Sequence, residues 1–430
     1  MVRTGGPTAL VPTGRQMKSY ACLRSLHRRG IEPLVASELD RIPHYASRFC
    51  SQRVHLPAPP TELDDYADAL LALAARPEVE TIYPVREYDT YLLARDAAAF
   101  EPHVSTVVPS FDSLRRAHDR LGLAREAADA GVPFARTRRL SDVDAWDANL
   151  VVKARYNLLT SDYVDGYPAG RAEEVKGVIS VVPGDDPDVD AIRAAMRHEP
   201  IVQDFVPQAR KHLYTALWAD GEPLVTYQHR QIRQNSWVGG GGVYRESVHS
   251  AAVDDVATRL LSHLDWHGFV CIEYLLDRET GEWKFLEINP RIWQSMPEAV
   301  MAGVDFPYYY WLLAHGTPSL VESTYEDGVR CHNAYGEVAH LLSILRDDSP
   351  FIERPSFAWT LLETVASWVR YPRFEFIRPD DPGLFLSAMR ETLSSGVTPD
   401  REYAVGTDRL RGVRGAADAD RDGEVPRVEP

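Results

Sequence analysis

Two apolar-rich segments, residues 270–277 and 283–289, flank the turn Arg278-Glu279-Thr280-Gly281-Glu282, and they constrain this chain more than any other stretch. A short glycine-containing linker between two runs of strand-forming residues predicts a β-hairpin. Pairing Asp277 with Trp283 sets Glu273 directly opposite Glu287, and side chains alternate along a strand, so both carboxylates point to one face. Their Cβ atoms then stand about 5 Å apart, where like charges destabilise the pair. The neighbours Ile272, Leu275, Phe285, Leu286 and Ile288 are apolar, so the pair is expected to be buried. Two buried, facing carboxylates need a shared proton or a cation. Asn289, two residues beyond Glu287 on the same face, adds a neutral oxygen, completing a hard-oxygen set suited to Mg2+ carrying phosphates. The alternative is a twisted hairpin whose glutamates pair with arginines. The hairpin alone leaves both readings open.

The rest of the chain indicates an α/β protein. Short apolar runs at residues 8–11, 31–36, 81–85 and 106–108 alternate with helical patterns at 16–29 and 62–75, and Gly30 stops the first helix. Strands interleaved with helices imply a parallel sheet. A Rossmann fingerprint is absent; Gly5-Gly6 alone is too weak. A helix is expected over 111–130, strands at 150–153 and 201–206, and a hairpin of 212–218 with 224–229 turned at Asp220-Gly221. The glycine run 239–242 is expected to break the chain before a helix at 254–264. From Asn333 onward the pattern is mostly helical, and 401–430 has the composition of a disordered charged tail.

Composition narrows the function. A length of 430 residues suggests two or three domains. A net charge of −16 argues against nucleic acid as the main partner, since neutralising phosphates needs basic faces. The longest uncharged apolar stretch, 306–321, contains two prolines and a histidine and is too short for a transmembrane segment. The first ten residues lack the basic start and apolar run of a secretory signal, and Cys22, Cys50, Cys271 and Cys331 form no CxxC. A cytoplasmic location is the expectation. Only five of the 47 basic residues are lysines: Lys18, Lys153, Lys176, Lys211 and Lys284.

Glu273 together with Phe285-Leu286-Glu287-Ile288-Asn289-Pro290-Arg291 resembles the metal-binding signature of the ATP-grasp superfamily, nearest to its carbamoyl-phosphate-synthase-like and carboxylate–amine ligases. Other stretches follow in the family's order. Gly131-Val132-Pro133-Phe134-Ala135-Arg136-Thr137 resembles its Gly-Val-Pro-x-Pro-x-Thr entry, and Val151-Val152-Lys153 its phosphate-binding strand. Gln203-Asp204-Phe205-Val206-Pro207 resembles the hinge that holds adenine through its backbone, and Ala302-Gly303-Val304-Asp305-Phe306-Pro307 the helix start after the metal strand. The likeness spans roughly residues 111–316, and five motifs in order are far more specific than any one.

The resemblance implies an α+β ATP-grasp domain over 111–330, preceded by a Rossmann-like parallel α/β domain at 1–110 and followed by a helical C-terminal extension at 331–400. It implies ATP and Mg2+ (or Mn2+) as cofactors. Glu273, Glu287 and Asn289 would hold metal, Lys153 would neutralise α/β-phosphate charge, and Gln203, Asp204, Phe205 and Val206 would hold the base. Arg291 would stabilise the transferring phosphoryl group, and Arg230 and Arg233 resemble the arginines near the acyl-phosphate site. The implied reaction joins a small-molecule carboxylate, activated as acyl phosphate, to an amine. A small-molecule kinase and a non-catalytic nucleotide-binding protein are the other functions open to this fold.

Three positions depart from the family pattern. Arg120 follows Asp119 where a lysine is usual, the stretch 157–170 has only Gly166 and Gly170 where a glycine-rich lid is usual, and Gln208-Ala209-Arg210-Lys211 supplies no acid for the ribose. Beyond the resemblance, Phe357, Trp359, Leu361, Leu362, Val365, Trp368 and Val369 form an apolar stripe. Packing on the catalytic domain is the expected reason for it; a homodimer surface and a helix lying on a membrane are the others. Glu363 on its polar side, rather than a basic cluster, disfavours anionic lipid.

Overall fold

The computed structural model describes residues 6–395 except Lys176. The expected tail at 401–430 lies outside the described residues. Strands β1 (Thr8–Pro12), β2 (Glu32–Ser37), β3 (Gln52–His55) and β4 (Val79–Ile82) form a parallel sheet in the order β3-β2-β1-β4. β1 and β2 are buried almost throughout, as near-continuous apolar runs require in a sheet covered on both faces. The helices of this part are α1 (Tyr20–His27), α2 (Leu63–Ala74), α3 (Glu87–Arg95) and α4 (Ala97–Phe100). Gly30, at φ +75°, ends the turn after α1 with its N–H on the His27 carbonyl.

The strand expected at 106–108 does not form. Only a single bridge joins Ser105 to Thr81, and the Val107 N–H instead donates to the Tyr310 hydroxyl. Prolines 102 and 109 bracket that run and leave it too short to extend the ladder. The helix expected at 111–130 is likewise two helices, α5 (Phe111–His118) and α6 (Arg120–Asp129). Asp119, at ψ 94°, breaks the first and caps the second through the Leu121 N–H.

A small antiparallel sheet follows, β5 (Thr137–Arg139), β6 (Leu150–Lys153), β7 (Val178–Val181) and β8 (Ile201–Asp204), ordered β5-β8-β6-β7, with α7 (Val189–Met196). The largest sheet is antiparallel. It contains β9 (Gln208–Ala219), β10 (Glu222–Ser236), β11 (Gly239–Ser247), β12 (Gly268–Asp277), β13 (Trp283–Asn289) and β14 (Arg330–His332), in the order β13-β12-β9-β10-β11-β14. Asp220 and Gly221 both take positive φ, the requirement of the tight turn read from the sequence. The glycines at 239–242 do not break the chain but open β11. A Cβ on Gly240 would come within 2.0 Å of the Asn235 side chain, so glycine there permits close approach of the two strands.

Helices α8 (Ala251–His263), α9 (Met296–Met301) and α10 (Phe306–Ala314) pack on this sheet, and α11 (Ala334–Arg346), α12 (Phe357–Arg370) and α13 (Pro382–Ser395) form the C-terminal part. One apolar core joins Ala9 and Val11 of the first sheet to Phe269, Trp293 and Tyr310, so packing runs continuously across residue 110. The apolar stripe of α12 does not enter a core. Its buried residues are Thr360 and Thr364; Trp359, Leu361, Leu362, Val365 and Val369 of the stripe face outward, while Phe357 and Trp368 are half-buried.

Candidate active site

The hairpin of β12 and β13 sets Glu273 opposite Glu287. It reaches that pairing by a different register at the turn, where Trp283 faces Leu276 instead of Asp277. An irregularity between Tyr274 and Glu273 absorbs the extra residue, Leu286, and restores the pairing at the glutamates. Each carboxylate has its own cation. Arg120 donates to Glu287 at 2.9 Å and to the Ala154 carbonyl at 3.0 Å, and Lys211 lies 2.6 Å from Glu273. Burial raises the Glu287 carboxyl, but Arg120 and Lys153 outweigh it and hold the group well below the usual carboxylate range. Asn289 donates to Glu287 at 3.2 Å and accepts from Arg291 at 3.2 Å.

Lys153 ends β6 beside this pair. Its ammonium makes no hydrogen bond or ion pair with any described residue. Burial, then the Arg120 guanidinium, pulls it down from 10.5 to about 8, against the opposing pull of Glu287 and Glu273. Arg291 is more fully engaged: Glu87 of α3 lies 3.0 Å from its Nε, and its remaining groups donate to Asn289 and the Ile292 carbonyl. His118 approaches the other oxygen of Glu87 at 3.2 Å.

The four hinge residues lie at the junction of β8 and β9. Gln203 donates to Thr137, Asp204 pairs with Arg138 at 2.9 Å, and Val206 is buried. The Phe205 N–H donates to the Asn149 carbonyl, and its ring stacks at 4.1 Å on Phe351, which comes from the segment between α11 and α12. The stretch 157–170 is packed down. Asn157 donates to the Ile288 carbonyl on β13, and Tyr163 stacks between Tyr156 and Phe111. The departure from a glycine-rich lid is thus an aromatic segment.

Arg230 and Arg233 diverge. Arg233 is buried in an ion pair with Glu337, which also accepts from Trp368 at 2.6 Å and contacts His332 at 3.0 Å. No hydrogen bond or ion pair joins it to the glutamate cluster among the described residues. Arg230 shares Glu246 with Arg330, at 2.6 and 3.0 Å, on the wall of a cavity of about 260 Å³. Arg210, Lys211 and Tyr244 also line that cavity. Lys211 therefore bridges the cavity and Glu273.

The structure thus gathers Glu273, Glu287, Asn289, Lys153 and Arg291 in one cluster, with Arg230 one side chain away and Arg233 outside it. Two members escaped sequence reasoning, Lys211 altogether and Arg120 as a doubtful substitution. The scarcity of lysine was a usable signal, because Lys153 and Lys211 are two of five. Among the described residues no group of three or more His, Cys, Asp or Glu gathers as a metal cage. A divalent ion held here would rest on two carboxylates and one amide. That donor set fits Mg2+, which keeps several waters and takes its remaining oxygens from phosphates.

Residues 246–319, which include both glutamates, match the family described as carbamoyl-phosphate synthase L chain, ATP binding domain. No curated protein sequence matches the chain significantly. Among solved structures, the ADP complex of N5-carboxyaminoimidazole ribonucleotide synthetase aligns over 87% of this chain and 100% of its own, with TM-score 0.57 and 14% identity. The biotin carboxylase domain dimer of Hydrogenobacter thermophilus 2-oxoglutarate carboxylase, with MgADP, ADP and bicarbonate, aligns over 76% and 72%, with TM-score 0.55 and 15% identity. L-amino acid ligase from Bacillus licheniformis aligns over 72% and 74%, with TM-score 0.52 and 15% identity. No helix of the described residues is long and apolar enough to cross a membrane. At such identities the likeness is one of fold, and that fold is the ATP-grasp fold, with a carbamoyl-phosphate-synthase type of ATP-binding segment over residues 246–319.

Proposed function

We propose that this chain is an ATP-dependent ligase that activates a small-molecule carboxylate as acyl phosphate and joins it to an amine. The observation that carries this reading is Lys153: a half-buried ammonium without a partner, beside two carboxylates that each have one. Such a charge suits a polyphosphate, and the neighbouring acids suit the cation that travels with it. Glu273, Glu287 and Asn289 would hold Mg2+ (or Mn2+), which when bound neutralises charge on the phosphate oxygens. Nucleotide and magnesium in the solved neighbours support the same assignment.

In this reading a carboxylate oxygen attacks the γ-phosphorus, and the bond to the β,γ-bridging oxygen breaks to release ADP. The amine nitrogen then attacks the acyl carbon, phosphate leaves with the electrons of the C–O bond, and the nitrogen gives up a proton. Phosphoryl transfer spreads charge over three oxygens, so acceleration comes mainly from positioning and cations. Lys153 serves the α and β phosphates. Arg291, held in orientation by Glu87 and Asn289, presents its charge behind the metal set. The basic cavity beside Lys211, with Arg230 and Arg330 on its wall, is the place for the carboxylate.

The test is ATP turnover with a panel of carboxylates in the presence of hydroxylamine, reading ADP and hydroxamate together. Hydroxamate formed in step with ADP supports the ligase. A stable phosphorylated product, identified by mass, would replace it with a kinase, and ADP without hydroxamate on every acid would leave the acyl phosphate unsupported.

A further inference from the structure

Helix α12 turns its apolar side to solvent. Thr360 and Thr364, 7% and 2% exposed, face inward, and each hydroxyl is satisfied by a carbonyl one turn back. Trp359, Leu362, Val365 and Val369 stand 61, 59, 49 and 79% exposed. At about 100° per residue these four and Leu361 fill one continuous arc of roughly 160°, with the threonines on the far side. The orientation is held by specific bonds, because Trp368 donates to the buried Glu337 of α11. On α11, Val338, Leu342 and Leu345 follow an i, i+4, i+7 spacing and are also exposed.

We propose that this face is the contact surface of a homodimer, with α12 packing on its mate across a two-fold axis. Two observations select a second copy as the occupant. The five exposed apolar residues of α12 present on the order of 500 Å², so two copies joined there bury on the order of 1,000 Å², about what a specific interface must clear. Within α12 only Glu363 and Arg370 are charged, which suits the apolar character of homodimer contacts and lacks the basic residues that draw a helix to anionic lipid. Because Glu337 grips both Trp368 and Arg233, dimerisation braces the strand β10 that also carries Arg230.

The test is the solution mass of the full chain by sedimentation equilibrium, with Trp359→Glu/Leu362→Glu and, separately, Val369→Glu. The wild type is expected at twice 48.3 kDa. The variants are expected at the monomer mass, with unchanged far-UV circular dichroism and unchanged Mg·nucleotide binding. Val369, being 79% exposed, can take a charge without unfolding and keeps the test valid if the double variant fails to fold. A monomeric wild type, or a dimer that survives Val369→Glu, overturns the proposal. A monomer that sediments with phosphatidylcholine–phosphatidylglycerol vesicles also overturns it and assigns the face to a membrane.

Discussion

If Lys153 holds a nucleotide as proposed, affinity should depend on pH in a direction that the geometry dictates. Burial and Arg120 lower it from 10.5 to about 8 in the free protein, and a bound polyphosphate would favour the charged form. Binding should then take up a proton above pH 8, and affinity should be full below that value and weaken above it. The weakening is at most tenfold per pH unit, so the dissociation constant at pH 9 is expected to be about ten times that at pH 7. Calorimetric titration with a non-hydrolysable Mg·nucleotide from pH 7 to 9.5 measures it, and buffers of different ionisation enthalpy report the proton directly. The phosphates themselves interfere little, since their second ionisation is centred near pH 6, below the range titrated. Lys153→Arg should bind more weakly at pH 7, because a planar fork does not replace a compact ammonium, but with a flat profile. Stability should move oppositely. The folded-state value lies below the unfolded one, so the unfolded chain binds more protons between about 8 and 10.5, and stability rises through that window. Lys153→Met, lacking the charge, should melt higher than wild type at pH 7 while losing nucleotide affinity. A wild-type affinity that stays constant from pH 7 to 9.5, or a Lys153→Met that melts lower, would refute the reasoning.

Three further substitutions address the neighbours of that lysine. Glu287→Gln keeps shape but removes a negative ligand, so Mg2+-dependent nucleotide binding should weaken and ATP turnover fall by at least ~10²-fold, with the fold retained by far-UV circular dichroism; turnover at the wild-type level would make Glu287 structural. Arg120→Ala leaves Glu287 without its hydrogen-bonded partner. The depressed carboxyl contributes stability above the ordinary 4.5 that drains as pH falls below it, so the variant, with a less depressed carboxyl, should be less stable than wild type at neutral pH and should lose less of its stability below pH 4.5 in a melting series. Arg233→Ala strands the buried Glu337 carboxylate and should cost about 3–5 kcal/mol in urea unfolding, a loss felt in stability before activity. If turnover fell and stability did not, Arg233 would belong to the catalytic cluster after all.

Local patterns carried much of the fold into view. A two-residue Asp220-Gly221 linker demands positive φ at both positions, and the hairpin of β9 and β10 follows from it. Gly30 marked the end of α1 for the same steric reason. The misreadings occurred where tertiary contacts override local preference. Asp119 sits within a helical pattern, yet its carboxylate pairs with Arg155 at 2.6 Å, and that bond lies across 36 residues of chain. The glycines of β11 look like a break when read alone, and become a strand because Asn235 and Gln231 press against them. The stripe of α12 is equally silent about direction, because periodicity reports that a helix has an apolar side and not which way that side is turned.

The same limit divides the site. Glu273 and Glu287 meet through a short hairpin, so their opposition could be reasoned from spacing, although the register at the turn was one residue off and a bulge at Leu286 compensated. Arg120 and Lys211 reach those glutamates from α6 and β9, and no spacing in the chain encodes either encounter. The break at Asp119 is what supplies the first. Asp119 caps α6 at the residue immediately before Arg120 and anchors to Arg155 beyond the end of β6, two residues after Lys153. One carboxylate thus ties α6 to the strand of Lys153, so that Arg120 can bond both the Ala154 carbonyl and Glu287. A substitution that looks like a departure, arginine in place of lysine, therefore reads differently in three dimensions. The longer, forked side chain spans from the residue after Lys153 to β13, which a lysine with one nitrogen would do less completely. Its proximity is also the second largest reason, after burial, that the Lys153 ammonium titrates near 8, so the departure and the central prediction are two consequences of the same guanidinium.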